Sequence, residues 1–346
     1  MQQAAIFQEK LEASLEASLP LKKKVISKPT PTPTAKAKKH VQPLKEVGFE
    51  KMKGHVHSVI GLENPGLDDV ASESLLPYIP FGDFSDLSEY SRGGYANVYR
   101  GRWGDRDVVL KFFKANGTNA ANNACREVTL VQMGRFCPFV VAALGYTWGP
   151  GPDNTPIIVY EYGGRTLFSC AQSNLFHNPV SKLEVCETLC LAVSSLHKKS
   201  KMIHGDLKGN NILYRFSTCT RRLIDLGVAQ LINGNRNPYL SRISHSIFRV
   251  RSSTKYWQGP EYKNDPTLSV NSDTYALGYV LLDLLVPLKS CQCWKSPPYT
   301  GIIAAAFNNA LEISVISFFN HCPTDRPLLD DLALVFRREH DKFLAI

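Results

Sequence analysis

The chemically richest stretch of this chain is His204-Gly205-Asp206-Leu207-Lys208-Gly209-Asn210-Asn211-Ile212-Leu213, followed closely by Leu223-Ile224-Asp225-Leu226-Gly227. Asp206, Asn211 and Asp225 gather two carboxylates and an amide oxygen in a short span. Phosphoryl transfer from a metal-bound nucleotide needs oxygen ligands for the cation and a carboxylate to orient the attacking hydroxyl. Each of these groups stands beside an apolar, β-rich run that would fix it on a hairpin. Asp and Asn in polar loops commonly serve turn chemistry alone. Here the spacing and the flanking runs favour a site.

The elements that must position this set are legible around it. Asn97 to Trp103 and Arg106 to Phe113 read as consecutive strands about the turn Gly104-Asp105. Asn122 to Arg135 reads as a helix and Pro156 to Tyr162 as a short buried strand. From Lys182 to His197, the residues Leu183, Cys186, Leu189, Cys190, Val193 and Leu196 recur at helical period. Strands come early and helices late, which predicts an α+β chain with a small sheet-rich lobe before a larger helical one.

The 346 residues suffice for one large or two ordinary domains, and the 44% hydrophobic content is ordinary for a globular protein. The longest apolar stretch, Tyr275 to Leu288, is broken by Asp283 and too short to span a bilayer, and MQQAAIFQEKLEAS lacks the features of a secretory signal. A soluble intracellular protein with no membrane partner, in nucleus or cytoplasm, is expected. Nine scattered cysteines argue against a secreted disulfide framework. The pair Cys291/Cys293 near His321 and Cys322 lacks the usual gap between zinc ligands and reads as free thiols.

The net charge of +9 is concentrated between Lys22 and Lys45. Residues 1–45 read as a disordered basic tail rich in Pro, Thr and Lys, and residues 46–85 as a linker or docking extension with apolar islands such as Leu75-Leu76-Pro77-Tyr78-Ile79. The lysine clusters of the tail, Lys22–Lys24 and Lys36–Lys39, resemble a bipartite nuclear localisation signal for an import receptor. Non-specific binding of nucleic acid or another polyanion is the competing reading.

The 204–213 and 223–227 blocks resemble the catalytic loop and the metal-binding Asp-Phe-Gly motif of eukaryotic-like protein kinases, with Leu226 in place of Phe. The resemblance runs over roughly residues 86–340, and a bilobal protein-kinase domain is placed at 86–342. It implies ATP and Mg²⁺ as cofactors, protein substrates, Asp206 as base, Lys208 on the transferring phosphate, Asn211 and Asp225 on Mg²⁺, and a supporting role for His204. Upstream, Ser91-Arg92-Gly93-Gly94-Tyr95-Ala96-Asn97-Val98 resembles a degenerate glycine-rich loop, with Ser91 and Ala96 at the outer glycine positions. In Val108-Val109-Leu110-Lys111-Phe112-Phe113 the lysine is flanked by apolar residues and needs an anionic partner. The resemblance assigns Lys111 to the α/β-phosphates and Glu127 to its ion pair. It likens Ile157 to Gly164 to the hinge between lobes, with Tyr160 as gatekeeper and the backbones of Glu161 and Gly163 toward adenine. Further on, Thr254 to Glu261, Asp273 to Gly278 and Cys322 to Pro327 match, in family order, the end of the activation segment, the central helix whose aspartate braces the catalytic loop, and the arginine that pairs with Glu261.

Gly205 stands where many protein kinases carry an arginine that receives an activation-loop phosphate. Its absence predicts activity without phosphorylation of Ser241, Ser244, Ser246, Ser252 or Ser253, while Thr254 is structural. His-Gly-Asp also resembles the loop of aminoglycoside- and choline-type kinases, an alternative opposed by Lys208, Asp273 and Arg326. A pseudokinase scaffold is the other alternative, opposed by the presence of Lys111, Glu127, Asp206, Asn211 and Asp225. Lys208 and Thr254 mark the serine/threonine type. The divergent motifs and compact C-terminal half resemble in style kinases of large DNA viruses.

Overall fold

The computed structural model describes residues 76–94, 96–114, 120–149, 156–173, 175–232, 258–263, 268–286, 303 and 306–345. The readings made of the 1–45 tail, of Tyr95, of the serines and Thr254 within 233–257 and of Cys291/Cys293 fall outside them.

The N-terminal lobe is an antiparallel sheet of β1 (Phe84–Arg92), β2 (Ala96–Trp103), β3 (Arg106–Phe113), β4 (Ala143–Trp148) and β5 (Pro156–Glu161), in spatial order β1-β2-β3-β5-β4. The β2–β3 hairpin closes through Gly104 at φ +56°, a left-handed value that glycine adopts without strain. Side chains alternate across β3 with period two. Val108 and Leu110 are buried in the outer-face cluster with Phe84, Ile157 and Val159, so Val109 and Lys111 face the other way. Against that inner face lies α1 (Ala120–Gly134), which packs on β3, β4 and β5.

The C-terminal lobe is helical. Short β6 (Arg165–Thr166) and α2 (Leu167–Gln172) lead into α3 (Pro179–Lys199), which Asn178 caps by accepting the Val180 amide. The cationic last turn of α3, His197-Lys198-Lys199, suits the negative end of the helix dipole. Met202–Ile203 (β7), Ile212–Arg215 (β8), Thr220–Leu223 (β9) and Gln230–Leu231 (β10) then form small hairpins beneath the sheet. A Ser269/Ser272 capping box starts α4 (Val270–Leu285), buried on most of its surface. Helices α5 (Asn309–Ile316) and α6 (Leu329–Leu344) complete the lobe, with α6 packed along α3. One apolar cluster runs from Val128, Leu130 and Val131 of α1 through Leu207, Ile212 and Leu226 to Leu277, Leu281 and Phe336, tying both lobes together around the 204–213 and 223–227 segments. Among the described residues no helix is long and apolar enough to cross a membrane.

The bilobal α+β architecture is the one the element order predicts. Each expected strand and helix is present, and α3 is longer than its apolar pattern because Pro179 and the basic last turn extend it at both ends.

Candidate active site

Lys111 and Glu127 meet as the sequence predicts, the ammonium 2.6 Å from one carboxylate oxygen and 2.7 Å from the other. The structure adds a second acid. Lys111 Nζ also lies 2.9 Å from Oδ1 of Asp225, so this cation joins β3, α1 and the turn after β9. Burial opposes the charge on Lys111, but the Asp225 and Glu127 carboxylates outweigh it and hold the ammonium above its ordinary pKa. The same cation holds Asp225 below the usual carboxylate range, ionised at neutral pH. Glu127 differs: its side chain is only 3% exposed, and burial pushes its pKa up despite Lys111.

Glu127 has a further partner that the sequence reading missed. The Tyr160 hydroxyl, near the end of β5, donates to Oε1 of Glu127 at 2.7 Å. Burial, followed by the Glu127 charge, raises the Tyr160 pKa well above its ordinary value, so the phenol remains a donor. A tyrosine in an apolar strand reads as core, and nothing local in the sequence reveals that its hydroxyl crosses to α1.

Asp206, Lys208 and Asn211 converge one layer below. Lys208 Nζ lies 2.6 Å from Oδ2 of Asp206, and Asn211 Nδ2 donates to the same oxygen at 2.9 Å and to the Asp206 carbonyl at 2.8 Å. Donation through the amide nitrogen leaves the Asn211 oxygen as an acceptor. Asp225 sits at φ +63°, an uncommon backbone setting for a non-glycine residue and one associated with functional sites. Oxygen donors from Asn211 and Asp225 suit Mg²⁺, which takes one or two protein groups and completes its shell with substrate phosphates and water. No group of three or more His, Cys, Asp or Glu able to cage a metal occurs among the described residues.

The 204–211 segment is held by buried polar anchors. His204 accepts the Asp206 amide at Nδ1 and donates from Nε2 to the Ile224 carbonyl at 3.0 Å, which fixes its tautomer and ties the two halves of the motif together. Asp273 of α4 accepts the amides of His204 at 2.7 Å and Gly205 at 2.9 Å, and the His197 ring at 2.8 Å. Burial raises the Asp273 carboxyl, but the hydrogen bond from His197, the nearby His204 ring and the Gly205 amide prevail and lower it. Gly205 has φ +77°, and a Cβ there would lie 2.5 Å from the Leu268 side chain. Arg326, with a fully buried side chain, forms a two-pronged pair with Glu261 at 2.7 and 2.6 Å and also donates to the Asn271 carbonyl.

The Asp273 anchor carries a pH prediction. A lowered carboxylate pKa contributes stability that is present above its unfolded value and lost as pH falls through the folded one. Asp273→Asn should therefore be less stable than wild type by about 3 kcal/mol near neutrality. The gap should narrow below about pH 4. Denaturant unfolding of both proteins between neutral and acid pH checks this, and a constant gap would refute the assignment.

At the cleft's upper edge, Ser91 pairs with Val98 across β1 and β2, and Val98 pairs in turn with Lys111. Gly93 donates its amide to the Ala96 carbonyl at 2.8 Å, closing the turn, and Lys114 holds the Gly93 carbonyl at 2.6 Å. The Glu161 amide is used by the Ala142 carbonyl, and its side chain turns to the Ala142 amide and Arg222. Gly163 lies against Leu213, where a Cβ would come within 2.6 Å of the leucine side chain. Gly164, which the sequence reading included in the hinge without a role of its own, is more constrained: φ is +103°, and a Cβ would fall 2.2 Å from the Tyr214 carbonyl.

Comparison with known proteins agrees with this geometry. The protein kinase domain family matches residues 84–311, and the chain belongs to that family. It is similar to U-box domain-containing protein 70 of Oryza sativa subsp. japonica, 25% identical over 211 residues that cover 59% of this chain and 25% of that protein. A probable LRR receptor-like serine/threonine-protein kinase of Arabidopsis thaliana is 29% identical over 216 residues, covering 60% of this chain and 21% of its own length. Wall-associated receptor kinase-like 21 of Arabidopsis thaliana is 26% identical over 261 residues, covering 71% and 40%. The chain thus spans well under half the length of these relatives. Kinases of this family in general act with ATP and Mg²⁺ on protein substrates.

Proposed function

We propose that the chain is an active serine/threonine-protein kinase whose catalytic domain occupies residues 86–342. The observation that carries this reading is the convergence of Lys111 on both Glu127 and Asp225, above an Asp206 carboxylate held by Lys208 and Asn211. A scaffold has no need of a buried lysine shared by two acids, and such pairs are expensive to bury.

In this reading the turn at Ser91, Gly93, Ala96 and Val98 covers the nucleotide phosphates, and the backbones of Glu161 and Gly163 meet adenine. Lys111 holds the α- and β-phosphates, its position fixed by Glu127. Mg²⁺, held by Asn211 and Asp225, would neutralise charge between the β- and γ-phosphates. Asp206 accepts the proton of the substrate hydroxyl as its oxygen bonds to the γ-phosphorus and the bond to the ADP oxygen breaks. Lys208, already beside Asp206, places a cation where the equatorial phosphoryl oxygens gain charge. Lys208 and the likeness to a probable serine/threonine-protein kinase support Ser/Thr as acceptor. Incubation with labelled ATP and a protein panel, followed by phosphoamino-acid analysis, tests it; label on tyrosine alone would overturn the specificity.

Gly205 supports a regulatory reading. Its left-handed backbone and the close Leu268 side chain disfavour a long cation at this place, as well as explaining the glycine. Activity should therefore not wait on phosphorylation of the segment after Asp225. Phosphatase treatment of the purified protein, followed by mass spectrometry, should leave the initial rate within about twofold. A large loss that returns on rephosphorylation would show that another cation receives the phosphate.

A further inference from the structure

Residues Leu76–Pro80, just ahead of β1, lie along β4, the edge strand on the far side of the sheet from β1. The Ile79 amide donates to the Tyr146 carbonyl at 2.9 Å, and the Tyr146 amide donates to the Pro77 carbonyl at 3.0 Å. Tyr78 bridges Tyr146 in parallel register, their rings 5.7 Å apart. Pro77 and Pro80 lack amide hydrogens, so the segment covers the sheet edge without offering a good new one. Its two apolar residues grip opposite faces. Leu76 joins the buried cluster that holds Val128, Leu130 and Val131 of α1 and Tyr160 of β5, whereas Ile79 joins the outer-face cluster with Val108, Leu110 and Ile157. Gly145 of β4 admits this approach: a Cβ there would stand 2.6 Å from the Pro77 carbonyl oxygen and 2.7 Å from the Ile79 side chain.

The strand under this segment is linked to the chemistry. β4 pairs with β5, and Ala143 of β4 lies opposite Tyr160, whose hydroxyl holds Glu127. β5 pairs with β3, where Lys111 lies opposite Ile158. Helix α1 packs on all three strands.

We propose that Leu76–Pro80 is a positioning strap for the kinase reaction, clamping β4 on both faces so that α1 presents Glu127 to Lys111. The strap rests on the kinase reading for its consequence in turnover, though not for its effect on α1.

The test compares full-length wild type with Leu76→Asp, Gly145→Ala and the conservative Leu76→Met, by hydrogen exchange and by turnover in the same preparations. Released strap should speed exchange of the α1 amides at least ~10-fold while α3 stays protected, because opening is local. The kcat should fall about tenfold in both disruptive variants as the ion pair loosens, and Leu76→Met should match wild type. If Leu76→Asp strips protection from α3 as well, it has unfolded globally and Gly145→Ala decides. Rapid exchange at Tyr78 and Ile79 with unchanged α1 protection and kcat would overturn the strap. An inactive wild type whose α1 still depends on the strap would instead overturn the kinase reading and leave the strap standing.

Discussion

Asp206→Asn and Asp225→Asn are each expected to reduce phosphotransfer at least ~100-fold, for separate reasons. Asparagine at 206 keeps the hydrogen bonding of a polar side chain but cannot take up the hydroxyl proton. At 225 it removes the charge that faces Lys111 and that would bind the proposed Mg²⁺, and an amide oxygen is a weaker ligand for a hard cation. Both variants should fold. The Asp225 side chain is 45% exposed, and the apolar cluster around Leu207, Ile212 and Leu226 is untouched. Kinetics on folded variants, verified by circular dichroism, check this. Activity near wild type in either would leave a different catalytic apparatus to be found.

Lys111→Met carries the next largest effect, a loss of at least ~100-fold, the scale seen when one preorganised electrostatic group is removed. The lysine is 15% exposed and its charge is shared by two acids, an arrangement that a neutral methionine cannot reproduce. Removing it also withdraws the influence that lowers the Glu127 pKa, leaving burial to raise that pKa further. Glu127 keeps its bond to Tyr160, and the lobe should survive. Glu127→Gln should be milder, about tenfold, because the amide keeps a partner for Tyr160 and Lys111 retains Asp225. Equal losses in the two variants would show that Glu127 does more than hold the lysine.

What could be seen in the sequence depended on how local each arrangement was. The Asp206, Lys208 and Asn211 cluster is nearly contiguous, so type and spacing are enough to suggest it. Lys111 stands out as a charge in an apolar strand, and its alternation with Leu110 and Val108 already places it opposite the outer core. Its sharing between Glu127 and Asp225 was not legible, since the sequence reading supplied one acid and folding across 114 positions supplied the other. Tyr160 looked like strand interior. His197 looked like the end of an amphipathic helix, although it completes the Asp273 anchor from another element. The strap read as an apolar island, because pairing to β4 depends on Gly145, nearly seventy residues away, having no Cβ. In each case the missing information is a long-range contact made by a residue whose local pattern has an ordinary explanation.

The most direct measurement is transfer of labelled γ-phosphate by purified full-length protein to a protein substrate, with Asp206→Asn prepared in parallel and hydrolysed products resolved as phosphoamino acids. The account predicts phosphoserine or phosphothreonine from wild type, dependent on added Mg²⁺ and reduced at least ~100-fold in the variant. Label that is equal in both proteins, or that requires neither Mg²⁺ nor Asp206, would contradict it.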